Sequence, residues 1–261
     1  MADAFERART AARDRAELPG MSLMEHLAEL RTRLLWAIGF LLVGCGIAYG
    51  YRGPLTNFIQ RPLLDYGLKM TMTHPTDALG FVVKTSFVFG AIFASPFILY
   101  QLWLFIAPGM YSHEKRYVAP FMLITIGLFL SGAWFGYRWV LPSAIKVLVL
   151  DFGKNFSHMI TIEDYTGFFL AVILGLGITF EMPVVMFFLS LFDLVSPKTM
   201  LKHFRYAVLG IFILAAIICP VPDPIGMCLF ASPMLALYFL GAFAAFLVTP
   251  ERRKKKEIRR A

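Results

Sequence analysis

The chain has 261 residues, 58% of them hydrophobic and only 16% charged, with a mean hydropathy of +0.67. A soluble globular domain carries about 25% charged residues, so an ordinary water-soluble fold is excluded. The 25 Lys and Arg outnumber the 17 Asp and Glu, a net charge of +8, and where those charges are absent matters more than their sum.

Uncharged runs cover 34–51, 85–113, 117–137, 165–192 (broken only by Glu181), 206–222 and 224–250. A hydrocarbon core of about 30 Å takes about 20 residues of helix, with about 17–25 tolerated. The chain is therefore predicted to be an all-α integral membrane protein with six transmembrane helices. An even count puts both termini on one side. Alternation assigns 18 Lys and Arg (those of 1–33, 115–116, 198–205 and 252–260) to that side, and seven (Arg52, Arg61, Lys69, Lys84, Arg138, Lys146, Lys154) to the other. Basic loops stay in the cytoplasm, which predicts an N-in, C-in, multi-pass protein of a cytoplasmic membrane. The positive balance is then topogenic and requires no nucleic acid.

In chain order, residues 1–20 alternate Arg, Asp, Glu and Ala up to Pro19-Gly20, the composition of a disordered cytoplasmic N-terminus. Residues 21–248 form the single six-helix domain, and 249–261 a basic cytoplasmic tail. Ser22 with Glu25 makes a capping-box pattern, and Leu23, Leu27, Leu30 and Leu34 form an apolar stripe, so an interfacial helix should feed the first span. Residues 52–83, rich in Pro, Gly and Thr, read as a long outer loop. The second helix should run to about Ala107 with Pro96 inside it, and the short loop "PGMYSHEKRY" makes helices two and three antiparallel neighbours. Helix three should end near Pro142, and an outer loop 142–164 should follow. Helix four carries Glu181 and Pro183; helix five has only 14 residues between Arg205 and Pro220. Pro96, Pro183 and Pro233 are candidate kinks, and Gly46/Gly50 and Gly132/Gly136 candidate close approaches between helices. "FASPFILY" at 93–100 resembles "FASPMLALY" at 230–238 without any extension of the match, so it reads as chance or as shared kink chemistry.

His26, His74, His113, His158 and His203 lie in loops or flanks, and no metalloprotease, nucleophile-elbow or P-loop pattern is present. Cys45, Cys219 and Cys228 show no metal or disulfide spacing. No enzyme, metal or cofactor is expected.

Three carboxylates stand out. Glu29 in "HLAELRTRL" precedes Arg33 by four residues, a favourable surface ion pair; Glu114 in "YSHEKRY" opens helix three behind Ser112, where a carboxylate suits the helix dipole. Alternatively, if the two helix ends adjoin, the pair could receive adjacent arginines of a ligand by charge-assisted bonds that lysine reproduces poorly. Glu181 stands alone in an apolar run, where a charge costs on the order of 2.5–3.5 kcal/mol. It reads as a partner-contact site, as the proton site of a secondary transporter beside a Pro-broken helix, or as interhelical glue bonded to Thr179.

The blocks "HLAELRTRL", "ASPFILYQLWLFIAPGMYSHEKR", "GITFEMP" and "PVPDP" resemble those of the TatC family, the receptor subunit of twin-arginine protein translocation, over about residues 22–248. That resemblance implies a curved, glove-like fold of six helices. It implies that Glu29 and Glu114, with Arg31, Arg33, Gln101 and Phe105 nearby, bind twin-arginine signal peptides of folded cargo. Glu181 would meet an inserting peptide or a partner's membrane helix, and Pro62 and Asp223 would be transport-important positions of the outer face. TatA/TatB-type single-span partners, self-association in a receptor complex and drive by the proton-motive force are likewise implied. The alternative is a proton-coupled secondary transporter using Glu181. Met227, Leu79 and Gly80 depart from the residues common in that family.

Overall fold

The computed structural model describes residues 23–106, 118–155, 159–191, 194–218 and 224–260. The first span, α1 (Leu23–Gly50), is one unbroken helix, about 42 Å long at 1.5 Å per residue, so its first turns extend past the bilayer core. The expected outer loop 52–83 is largely helical instead. Its first part is α2 (Arg52–Leu64), and α3 begins at Asp77 and runs to Ile106. Gly53 and Pro54 sit in the first turn of α2, where neither breaks a helix. Leu55, Phe58, Ile59, Pro62 and Leu63 recur at helical spacing and pack inward, with Ile59 and Leu63 almost wholly buried.

The third span passes its expected end. It comprises α4 (Val118–Phe135), a π-helical stretch Gly136–Val140, α5 (Leu141–Ile145) and a second π-helical stretch to Asp151. A π turn thus precedes Pro142, widening the helix where the ring would meet the preceding turn. The fourth span is split into α6 (Ile162–Thr179) and α7 (Met182–Leu191), because Pro183 cannot donate back across the junction at Phe180 and Glu181. A short helix, α8 (Pro197–Lys202), is capped by Ser196 and leads into α9 (Phe204–Ile218). Then α10 (Pro224–Arg260) carries the last span and continues through the basic tail.

Among the described residues, five helices are long and apolar enough to cross a membrane. The sixth span is α9, whose 15 residues reach only about 22 Å. Strands β1 (Met70–Thr71) and β2 (Ile160–Thr161) pair in parallel, bringing the two loops of the face opposite the N-terminus together, as alternation of six spans requires. That face is called outer below.

Small residues set the helix spacing, although not all the expected ones. A Cβ on Gly44 would strike the Gly90 carbonyl, and one on Gly90 would lie 2.6 Å from Cys45 N, so α1 and α3 meet backbone to backbone there. Gly132 is a contact as expected, with Leu176 O 2.7 Å from its would-be Cβ, and Gly136 meets the Leu176 side chain. Gly46 and Gly50 face open space.

Three prolines share one solution to the same defect. A helical proline leaves the carbonyl four residues earlier without its N–H. Ser95 Oγ donates to Ile92 O (2.8 Å) beneath Pro96, and Ser232 Oγ to Leu229 O (3.1 Å) beneath Pro233. Tyr137 Oη donates to Phe58 O (3.2 Å) beneath Pro62. Both "FASP" segments thus set a serine hydroxyl on the carbonyl that the following proline leaves without its N–H. The core centres on α6, with Phe169, Leu176, Phe230 and Met234 fully buried. Half of the apolar window of Ile162–Leu191 is buried within the chain, against 11% for α1.

Candidate functional site

At the inner face, residues at i, i+3 and i+7 of α1 meet residues at i and i+4 of α3. His26, Glu29 and Arg33 come from the first helix; Gln101 and Phe105 come from the other. The His26 ring stacks on Phe105 with centroids 4.5 Å apart and planes at 18°. Arg33 Nη2 donates to Glu29 Oε1 and Nη1 to Gln101 Oε1, both at 3.4 Å. Gln101 is buried at 8% exposure, and the Glu29 side chain keeps 17%. Glu29 Oε2 and Arg33 Nε are buried with no hydrogen-bond partner among the described residues. A charge-assisted N–H···O bond is normally about 2.7–2.9 Å and an Arg–carboxylate pair is often doubly bonded, so this pair is half made.

The structure thus brings together four of the expected inner-face residues, Glu29, Arg33, Gln101 and Phe105. Arg31, two residues from Glu29 and exposed, lies on another face of α1. Glu114 and Asp223 lie outside the described residues. His26 escaped the sequence reading, although its place three residues before Glu29 puts both on one helix face.

Glu181 occupies the junction of α6 and α7. Its carbonyl accepts from Val184 N and Val185 N and so starts α7. Its carboxyl oxygen Oε1 is buried with no partner among the described residues. The expected bond to Thr179 is not formed, because Thr179 Oγ1 donates to Gly175 O at 2.6 Å. Close helix contacts flank the junction. Phe180 lies against Gly132 of α4, and Pro183 and Met186 lie against Gly241 of α10.

On the outer face, Pro62 is buried in α2, and its helix is tied down by tyrosines. Tyr137 holds the Phe58 carbonyl and stacks on the Phe58 ring (4.0 Å, 12°), while Tyr165 Oη donates to Ile59 O at 2.8 Å. Asp77 Oδ2 accepts from Thr73 N and His74 N, both at 2.8 Å, fixing the start of α3. Lys84 of α3 and Glu163 of α6 form an exposed salt bridge at 3.1 Å.

Comparison with known proteins decides the family. The family described as Sec-independent protein translocase protein (TatC) matches residues 25–233. The chain belongs to the TatC family. It is 46% identical over 245 residues to the TatC of Koribacter versatilis, covering 92% of this chain and 90% of that protein. It is 38% identical over 248 residues to the TatC of Aquifex aeolicus, covering 92% and 100%. A crystal structure of the twin arginine translocase receptor TatC superposes with a TM-score of 0.79 at 37% identity, covering 86% of this chain and all of that one. TatC proteins are multi-pass membrane components of Sec-independent protein translocation, not enzymes, and this chain is one of them. The carboxylate of Glu181 is accordingly read within a translocase, and the transporter alternative falls.

Proposed function

We propose that this TatC chain is the receptor that recognises twin-arginine signal peptides of folded cargo in a cytoplasmic membrane, with both termini in the cytoplasm. Glu29 supplies one acceptor for the peptide's guanidinium groups and Glu114 a second, with Gln101 and Phe105 forming the adjoining wall and Arg31 and Arg33 tuning its charge. The bound peptide then extends toward Glu181, where the polar face of the peptide or of a TatA/TatB-type membrane helix meets the carboxyl group. The receptor self-associates, and the proton-motive force drives passage. Pro62 and Asp223 act on the outer face, Pro62 by shaping α2.

The observation that carries this reading is Glu29, a carboxylate near the inner end of α1 with one oxygen buried and unsatisfied among the described residues, beside an aromatic wall. A buried acceptor without a donor costs about 1–3 kcal/mol, and a planar two-pronged donor relieves that cost better than an ammonium. The test is a titration of the protein in nanodiscs with a labelled Arg-Arg signal peptide and its Lys-Lys counterpart. Preference for Arg-Arg, lost in Glu29→Gln and Glu114→Gln, is the expected result. Equal binding of both peptides, indifferent to the two variants, would return the carboxylates to surface ion pairing.

A further inference from the structure

In the free protein Glu29 already faces a guanidinium of its own chain, that of Arg33. Arg33 reaches Glu29 with a single contact of 3.4 Å, and its other terminal nitrogen reaches Gln101 at the same distance. Neither contact has the length or the doubled geometry of a well-seated arginine. Arg33 Nε and Glu29 Oε2, the two atoms that a second parallel bond would use, are both buried and without a partner among the described residues. A pair built for stability would close that second bond. This one leaves an acceptor open on Glu29 and a second acceptor, Gln101, within reach of the same arginine.

We propose that Arg33 is an internal stand-in for the ligand's arginine, which competes for Glu29 and is released onto Gln101 when a peptide guanidinium takes its place. The inference rests on Glu29 being a guanidinium receptor. It assigns Arg33 and Gln101 opposite effects on affinity. Arg33 neutralises Glu29 in the empty site and so opposes binding, discouraging ligands that cannot form two parallel bonds to the carboxylate. Gln101, a buried amide that carries no charge, accepts the displaced guanidinium and lowers the cost of exchange. An arginine ligand makes both bonds and displaces Arg33; a lysine ligand makes one and does so poorly. Competition of this kind sharpens discrimination by penalising the wrong ligand as much as it rewards the right one.

The experiment is the same nanodisc titration on Arg33→Gln, Arg33→Lys and Gln101→Met, with Lys198→Gln, an exposed charge of the same face, as a charge control. The wild-type preference for Arg-Arg over Lys-Lys is measured first, and its absence would overturn the receptor reading itself. Given that preference, Arg33→Gln should tighten Arg-Arg binding by about two- to fivefold, the range of a partly exposed ion pair, and Lys-Lys binding by more. Arg33→Lys should narrow the discrimination while keeping the charge. Gln101→Met should weaken Arg-Arg binding, and should have no effect in the Arg33→Gln background. Lys198→Gln removes an equal charge outside the cluster, so a gain there equal to that of Arg33→Gln would reduce the effect to net charge and overturn the inference. Weaker binding in both Arg33→Gln and Gln101→Met would do the same, since a network that merely holds Glu29 in place loses affinity whichever member is removed.

Discussion

Replacing Tyr137 by Phe removes one oxygen and leaves the ring stack on Phe58 in place, so it isolates the bond to the Phe58 carbonyl. That carbonyl lies four residues before Pro62 and has no helical N–H. Without Tyr137 its donor is lost in a half-buried position, at a cost of about 1–2 kcal/mol. Pro62→Ala supplies the missing N–H from within α2. It should change stability little by itself, the new bond being offset by about 0.4–1 kcal/mol of added chain freedom in the unfolded state. The two changes should therefore couple. Tyr137→Phe costs about 1–2 kcal/mol beside Pro62 and less than about 0.5 kcal/mol beside Ala. Reversible unfolding in bicelles, followed for the four proteins of this cycle, measures that coupling. An equal cost of Tyr137→Phe in both backgrounds would refute the account of how Pro62 positions the outer-face helix.

Ser95→Ala should follow the same logic at Pro96, destabilising by about 0.6–2 kcal/mol and recovering in the Pro96→Ala background, read by the same unfolding assay. Gly44→Val should separate α1 from α3 and cost about 1–3 kcal/mol or more, whereas Gly46→Val, which meets open space, should be tolerated; thermal unfolding and elution profiles in detergent distinguish the two. Glu181→Gln should keep the fold and lower export only in part, and Glu181→Leu should abolish export while leaving peptide binding at the inner face intact. Loss of inner-face binding in Glu181→Leu would show the two sites to be one.

Much of this was legible from where charge is missing. A span must exclude charge over about 20 residues, a constraint strong enough to survive any local detail. The outer helix α2 was hidden because Gly53, Pro54 and Pro62 read as breakers, and the apolar spacing of Leu55, Phe58, Ile59 and Leu63 was outweighed by them. The extension of the third span past Pro142 was equally hidden, since a π turn has no signature in hydropathy. Glycines could be recognised as candidate contacts but not ranked. Gly46 and Gly44 differ by two residues, which on a helix is about 200°, and only the packing of α3 tells which one faces it. At the site, Glu29, Arg33, Gln101 and Phe105 were singled out by their blocks. The half-made state of the Glu29–Arg33 pair depends on distances that no residue spacing encodes.

The two faces of the bundle differ in how firmly they are held, and this yields a last prediction. The outer ends of the spans are joined by a strand pair, by the Lys84–Glu163 bridge, and by Tyr66, Tyr137 and Tyr165 donating to the carbonyls of Pro142, Phe58 and Ile59. Toward the inner end, among the described residues, α1 meets α3 through the Phe40–Phe97 and His26–Phe105 ring stacks, and its last polar tie is one bond of 3.4 Å from Arg33 to Gln101. Between the two ends lies the Gly44–Gly90 backbone contact, and Glu29 stands 15 residues, about 22 Å, from that point. Over that length a tilt of about 3° moves Glu29 by about 1 Å, the difference between a long contact and a good hydrogen bond. Only 11% of the apolar window of α1 is buried within the chain, so the packing such a tilt disturbs is confined to the seam with α3, where the Phe40–Phe97 stack slides with it. Spin labels at Met24 and Leu102, both exposed, should therefore report a changed distance distribution when an Arg-Arg peptide binds, by double electron–electron resonance in nanodiscs. Labels at Leu79 and Met159, exposed beside the outer face, should report none. Equal shifts at both faces would mean that the bundle moves as a whole, and the glycine contact would lose its role as the pivot.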